Sequence, residues 1–367
     1  MYLVRDFRSK DYSSFVSNDD FEMLRSLKGP LLITGHTGFK GTWLTFLCKE
    51  LGIPFIGLSL PAETGSMYDR LQLYGVNPET FCDIRNKNQI HKTINDIQPG
   101  AIIHLAAQPL VLESYRAPVE TFETNVMGTA HILDSATKVK SVNVVGIATT
   151  DKVYLNNNLG ISFKEDSPLG GKDPYSASKV GTEQVINAWQ QISKLDDGPR
   201  IVSMRAGNVM GGGDFAKDRL LPDLIRAALF NQPTSIRNPN STRPWQHALD
   251  PLYGYLLFME ASLKKNKIDS LNFSPKEKSL SVEEVVKLFK SRFPRINVEI
   301  LQEKSFEMES KLLQLDSSQA TSQINWYPRL TQRTALNKTI DWWVQNQADP
   351  SSHASTILEI KDYLNQR

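Results

Sequence analysis

The chain has 367 residues, enough to bury a large core and to build two lobes. Hydrophobic residues make up 40% and charged residues 22%, an ordinary globular balance, and the net charge of +2 carries no polyelectrolyte signature, which speaks against nucleic acid as a partner. The two cysteines, Cys48 and Cys82, sit in apolar neighbourhoods without a CxxC partner and read as buried thiols in a reducing compartment.

Residues 1–30 are polar and irregular and read as an N-terminal extension. The start, Met1 to Arg8, is charged and lacks the apolar h-region of a signal peptide, and no apolar run is long enough to span a bilayer, so a cytoplasmic protein without a membrane partner is expected. Leu31–Thr34 is a short apolar run that ends in Gly35-His36-Thr37-Gly38-Phe39-Lys40-Gly41, and Trp43–Leu51 then carries apolar residues at helical spacing. A strand, a glycine-rich turn and a helix make a phosphate cradle. Gly35 turns the chain sharply, Gly38 admits a pyrophosphate close to the backbone, and Gly41 lets the helix pack tightly with its free N–H groups toward the anion. The spacing is G-x-x-G-x-x-G rather than the standard G-x-G-x-x-G.

Phe55–Leu60, Ala101–Ala106 and Val142–Ala148 read as further strands, and Gln89–Ile97 and Thr121–Val139 as helices between them. Continuous apolar strands separated by helices predict a doubly wound parallel α/β sheet, a Rossmann fold, with ligands at the carboxyl ends of the strands. The second strand ends Ser59-Leu60-Pro61 with no acidic residue at the usual place, Glu63 lying just beyond, so this end leaves NAD against NADP open. Asp83 and Ile84 follow a third strand-like stretch and read as an adenine contact, with a solvated loop as the other reading.

The strand Val142–Ala148 runs into Thr149-Thr150-Asp151-Lys152-Val153-Tyr154. A hydroxyl at such an end can orient a sugar hydroxyl, an acid can donate a proton, and a lysine can act as base or as electrostatic stabiliser. Tyr175 and Lys179, four apart after Pro174, share one helix face. A free tyrosine ionises near pH ~10, and an ammonium together with a nicotinamide cation is expected to lower that value. Asp151 must be protonated to donate, so confinement in a dry site is expected to raise its pKa. From about Gly207 the pattern loosens, which reads as a second, smaller α/β lobe closing over a substrate, giving 31–206 as the dinucleotide lobe and 207–367 mainly as the substrate lobe, with some segments returning to the sheet. The six histidines are scattered without ligand spacing, so no metal is expected.

The stretches Gly35–Leu44, His104–Val111, Thr149–Tyr154, Asp173–Lys179, Arg205–Asp223 and Arg237–Leu256 together resemble the nucleotide-sugar 4,6-dehydratases of the extended short-chain dehydrogenase/reductase superfamily, from Leu31 to about Trp342. Asp151-Lys152 is similar to the CDP-glucose branch, where the dTDP-glucose branch carries Asp-Glu. The resemblance implies bound NAD, held by Gly35, Thr37, Gly38, Phe39, Lys40 and Gly41, by Asp83 and Ile84, by Leu105, Ala106, Ala107 and Asn125, and by Thr149, Tyr175 and Lys179. It implies CDP-glucose or a related sugar nucleotide bound by Gln108, Asn208, Arg219, Leu220, Arg237 and Arg243, where the arginines suit phosphate oxygens. Trp245 and His247 read as packing. The implied reaction passes a hydride from C4 to bound NAD and back to C6. Tyr175 serves as base, Thr150 orients the hydroxyl, Asp151 protonates the departing water, and Lys152 serves as base or stabiliser. The product, a 4-keto-6-deoxy sugar nucleotide, would feed deoxysugar and polysaccharide synthesis. A homodimer or homotetramer through Thr121–Val139 and Ser176–Leu195 is expected. A 4-epimerase would share the glycine turn, Tyr175 and Lys179 without needing an acid after Thr150, and a dinucleotide-sensing regulator could dispense with the tyrosine.

Overall fold

In the computed structural model, residues 20–157, 160–217, 219–230, 232–236, 239–300 and 313–366 are described. Seven strands form one parallel sheet: Leu31–Thr34, Phe55–Ser59, Glu79–Phe81, Ala101–His104, Val144–Ala148, Arg200–Ala206 and Ser270–Phe273. Counted along the chain, their order across the sheet is 3-2-1-4-5-6-7. Successive residues of the inner strands face opposite cores. Leu31, Ile33, Ala101, Ile103 and Val144 enter one cluster, with Trp43, Leu47, Leu252, Leu256 and Met259; Leu32, Ile102 and Val145 enter the other, with Ile90, Ile94, Ile132, Leu133 and Ile186. Burial on both faces explains the unbroken apolar strand runs. The crossover reverses direction between Leu31–Thr34 and Ala101–His104, the switch point where such sheets bind ligands at their carboxyl edge.

The chain leaves Leu31–Thr34 through Gly35, whose φ of +74° is costly for any residue with a side chain. The helix Phe39–Glu50 follows, and a Cβ on Gly41 would stand 2.1 Å from the Gly35 carbonyl oxygen, so the third glycine is what lets helix and turn touch. Trp43 donates from its indole N–H to the Gly212 carbonyl at 2.9 Å, tying this helix to the chain after Gly207.

Part of the N-terminal extension is packed rather than irregular. Phe21 and Leu24 are buried, and Glu260 accepts from the amides of Met23 at 3.0 Å and Leu24 at 2.9 Å, fixing the helix Glu22–Ser26 against the helix Leu249–Leu263. The single helix expected over Thr121–Val139 is divided into Pro118–Phe122, a π-helical turn Glu123–Met127, and Gly128–Lys138. The turn surrounds Asn125. Its amide donates to the Gln108 carbonyl at 3.1 Å and to the Ser178 hydroxyl at 2.9 Å, and its oxygen accepts from the Gln108 amide at 2.8 Å. Extra turns of this kind concentrate at functional sites. No helix among the described residues is long and apolar enough to cross a membrane.

Candidate active site

A cavity of about 420 Å³ opens at the carboxyl edge of the sheet. Its walls include Lys40 from the glycine-rich turn, Thr149, Thr150 and Lys152 from the end of Val144–Ala148, and Tyr175 from the helix Pro174–Leu195. Asn208, Arg219, Leu220, Arg243 and Trp245 enclose it from the other side. Residues far apart in the chain therefore meet around one space of the size that takes a small ligand. Arg237 lies outside the described residues.

The helix bearing Tyr175 and Lys179 begins at Pro174 with Asp173 as its cap, and the Tyr175 amide also donates to the Ser114 hydroxyl at 3.0 Å. Ser114, on Val111–Arg116, carries no sequence signal, yet it fixes the start of this helix. Lys179 donates to the Ala148 carbonyl at 3.4 Å, and burial pulls its ammonium down to about 8 against the charge of Glu183. The phenol of Tyr175 is set here by the protein's own groups. Burial pushes it up to about 12, outweighing the hydrogen bond with Thr150 and the charge of Arg219 that pull it down. The protein's own groups therefore disfavour the phenolate, the form a base needs.

Asp151 is 1% exposed and lies behind the cavity wall. Its Oδ1 accepts from the Thr150 hydroxyl at 2.9 Å, while Oδ2 has no hydrogen-bond partner among the described residues. Burial raises its pKa, opposed by Lys152, by the Thr150 hydrogen bond and by Arg243. The direction is the one an acid needs at neutral pH. Lys152 stands with its Nζ 5.9 Å from the centre of the Tyr175 ring. Lys40 brings a further lysine into the site. Burial pulls it down to about 7, assisted by the charges of Lys179 and Arg219 and opposed by Asp151.

Beneath this layer is an ion pair that spacing did not reveal. Arg205 donates to Glu183 from Nε at 2.9 Å and from a terminal nitrogen at 2.8 Å, and the hydroxyls of Thr149 at 2.6 Å and Ser203 at 2.7 Å donate to the same carboxylate. Against the burial that would raise it, Arg205 and these donors hold Glu183 below the usual carboxylate range. Thr149 is thus anchored from below.

The first turn of Phe39–Glu50 has no side-chain cap, which leaves amides directed past Gly38 with the dipole of the helix behind them. Leu105 and Ala106 border the turn, and a Cβ on Gly35 would meet the Ala106 nitrogen at 2.7 Å. Uncapped donors and a backbone cradle closed to side chains suit the pyrophosphate of a dinucleotide. Thr37 is spent internally, bonding the Ser59 hydroxyl at 2.9 Å and the Leu60 carbonyl at 3.0 Å. Asp83 is held by Arg85 and borders a second, open cavity with Arg85, Asn86 and Glu123, while Ile84 is 5% exposed against Gly128. Gln108 spends its side chain on Thr121 at 2.9 Å and the Leu110 amide at 2.5 Å. Arg219 pairs with Asp214 at 2.9 Å at the cavity edge, and Arg243 is 5% exposed. His247 is buried against the Trp43 ring, 2.7 Å from Glu359, consistent with packing; Trp245 by contrast faces the cavity.

A doubly wound sheet with an uncapped glycine-rich turn, a Tyr-Ser-Ala-Ser-Lys helix and a Thr-Asp-Lys strand end defines a class, and the chain belongs to it: residues 32–339 match the GDP-mannose 4,6 dehydratase family. Within that class it is 36% identical over 346 residues to the CDP-glucose 4,6-dehydratase of Salmonella typhimurium, covering 91% of this chain and 96% of that protein. The dTDP-glucose 4,6-dehydratase of Haemophilus influenzae is 23% identical over 341 residues, covering 87% and 98%. Among solved structures, MoeE5 in complex with UDP-glucose and NAD has a TM-score of 0.75 at 24% identity over 87% of this chain and 100% of that one. TunA, an NAD-dependent NDP-hexosamine 5,6-dehydratase, has a TM-score of 0.70 at 25% identity, covering 87% and 98%.

Proposed function

We propose that the chain is an NAD-dependent hydro-lyase that converts CDP-glucose to its 4-keto-6-deoxy sugar nucleotide. The observation that carries this reading is the buried Asp151 carboxyl, raised in pKa and hydrogen-bonded to Thr150: an acid directly behind the wall of the cavity that Thr150 and the Tyr175 phenol line. The match to CDP-glucose 4,6-dehydratase across nearly its whole length supports the substrate.

A nicotinamide dinucleotide, when bound, supplies a hydride acceptor and donor. The glycine-rich turn holds its phosphates, and Asn125 braces the loop at Gln108 against the helix of Tyr175. Tyr175 takes the proton of the C4 hydroxyl, which Thr150 orients. Burial alone disfavours the phenolate, so Lys179 serves by its position one helical turn below Tyr175 and by its positive charge. With a ketone at C4, the C5 proton is acidic. Lys152, as the neutral amine, takes it, and the ammonium so formed stabilises the enolate. Asp151 delivers its proton to the oxygen leaving C6, and the C6–O electron pair departs with that oxygen as water. Arg219, Arg243 and Asn208 meet the substrate pyrophosphate.

Residues 31–206 serve as the dinucleotide lobe and 207–367 mainly as the substrate lobe; Ser270–Phe273 is a segment that returns to the sheet. Exposed Phe122 and Met127 within Thr121–Val139, and Ile192 and Leu195 within Ser176–Leu195, support a homodimer or homotetramer through these two segments. A cytoplasmic location fits a deoxysugar pathway.

The test is incubation of the purified protein with CDP-, UDP-, dTDP- and GDP-glucose, followed by mass spectrometry. CDP-glucose is expected to lose one water at the highest kcat/KM. An isomer of unchanged mass would indicate an epimerase and overturn the reading, and turnover of none of the four would overturn catalysis.

A further inference from the structure

A lysine in the first turn of a helix opposes the helix dipole, whose positive end favours acids there. The first turn of Phe39–Glu50 holds no acid, and its second residue is Lys40. The side chain lines the cavity together with Thr149, Thr150, Lys152 and Tyr175. Its ammonium has a defined place: Nζ stands 5.5 Å over the centre of the Tyr255 ring, which is buried and packed edge-on against Phe273 at 5.2 Å. No carboxylate pairs with Nζ among the described residues. Of the charges that act on it, Lys179 and Arg219 repel it and Asp151 attracts it. The fold therefore keeps an unpaired cation on the wall of a site already rich in cations.

The place of Lys40 in the chain fixes its place along a dinucleotide. The pyrophosphate belongs at the uncapped amides past Gly38, two residues before Lys40. Hydride transfer at C4 requires the nicotinamide beside Tyr175. The wall that Lys40 lines joins these two points. We propose that Lys40 sets the reduction potential of the bound nicotinamide, its ammonium favouring the neutral reduced ring over the cationic oxidised one. This rests on the reading of Tyr175 as the group that acts at C4. Oxidation there sends a hydride, one hydrogen nucleus with two electrons, from C4 to the ring and the hydroxyl proton to Tyr175. The transfer cancels the positive charge of the ring and with it the repulsion from Lys40. The ammonium thus favours the first half of the reaction, which makes the ketone, and opposes the return of hydride to C6 by the same amount.

The test is equilibrium titration of the full chain, freed of carried-over cofactor and without sugar, with NAD+ and with NADH. The parent is compared with Lys40→Met, Lys40→Gln and Lys40→Arg, alongside thermal unfolding. Attraction of Lys40 for the pyrophosphate is common to both forms and cancels in the ratio of the two Kd values. The parent is expected to bind NADH the more tightly. In Lys40→Met and Lys40→Gln that preference is expected to fall roughly tenfold, the scale of repulsion between two unit charges several ångströms apart in a partly hydrated site. For a two-electron couple, tenfold lowers the potential of the bound cofactor by about 30 mV. Lys40→Arg keeps the charge and is expected to keep most of the preference. Tm is expected to hold or rise in Lys40→Met, because a repelled charge is removed. An unchanged ratio in the two uncharged variants, even with both affinities reduced, would make Lys40 a phosphate contact alone and overturn the proposal. A parent that binds neither form overturns the dinucleotide reading and the proposal together. A ratio that responds in a chain that leaves CDP-glucose intact supports the role of Lys40 and removes only the dehydratase reading.

Discussion

Replacing Asp151 with asparagine is expected to lower water loss from the sugar by about 10²–10⁴, the usual weight of general acid assistance, while oxidation at C4 survives. Asparagine keeps the shape and can still accept from the Thr150 hydroxyl, so the Thr150–Tyr175 arrangement is retained. It cannot give up a proton to the C6 oxygen. The two steps separate because, in the proposed mechanism, Tyr175 acts at C4 from its own helix, whereas Asp151 lies behind the wall at the strand end. Stopped-flow absorbance at 340 nm with the variant should show reduced cofactor accumulating after substrate is added, and mass spectrometry should show the water retained. An equal fall in both steps would place Asp151 in general site integrity and remove it from the acid role.

The second large effect concerns stability. Arg205→Leu is expected to destabilise the fold by about 3–5 kcal/mol, the cost of leaving one member of a buried ion pair alone. Glu183 would then keep only the hydroxyls of Thr149 and Ser203 around a carboxylate that is 1% exposed. Arg205 also donates to the Tyr154 hydroxyl at 2.9 Å and the Glu165 carbonyl at 2.8 Å, so the loop after the active-site turn loosens as well. Adding Glu183→Leu to the same chain should recover part of the loss, because an apolar pair leaves no bare charge. Urea unfolding of the single and double variants measures both values. A single-variant loss below about 1 kcal/mol would mean that water or rearrangement satisfies Glu183.

What was legible in the sequence follows the range over which the chemistry acts. The glycine turn, the apolar strand runs and the Tyr175–Lys179 spacing are local patterns, and each element stands within a few residues of its expected place: Phe39–Glu50 for Trp43–Leu51, Ala101–His104 for Ala101–Ala106, Val144–Ala148 for Val142–Ala148. The π-helical turn at Asn125 is not local, since it exists where Gln108 and Ser178 converge on one amide. Glu183 and Arg205 are 22 residues apart and belong to different elements, so no spacing rule pairs them. The burial of Tyr175 is not local either: a lysine one turn away is readable from sequence, but the depth of burial that raises the phenol is a property of the assembled cavity. Phe21 and Leu24 lie in the stretch read as polar and irregular, because the Glu260 that docks their helix is remote in sequence.

The most direct measurement follows one hydrogen atom. With CDP-glucose carrying deuterium at C4, the expected product is lighter by one water and carries the deuterium in its C6 methyl group, read by NMR and mass spectrometry. Deuterium remaining at C4 in a product of unchanged mass, or loss of water with C6 unlabelled, would contradict the joint action of Tyr175 and Asp151 on one bound sugar.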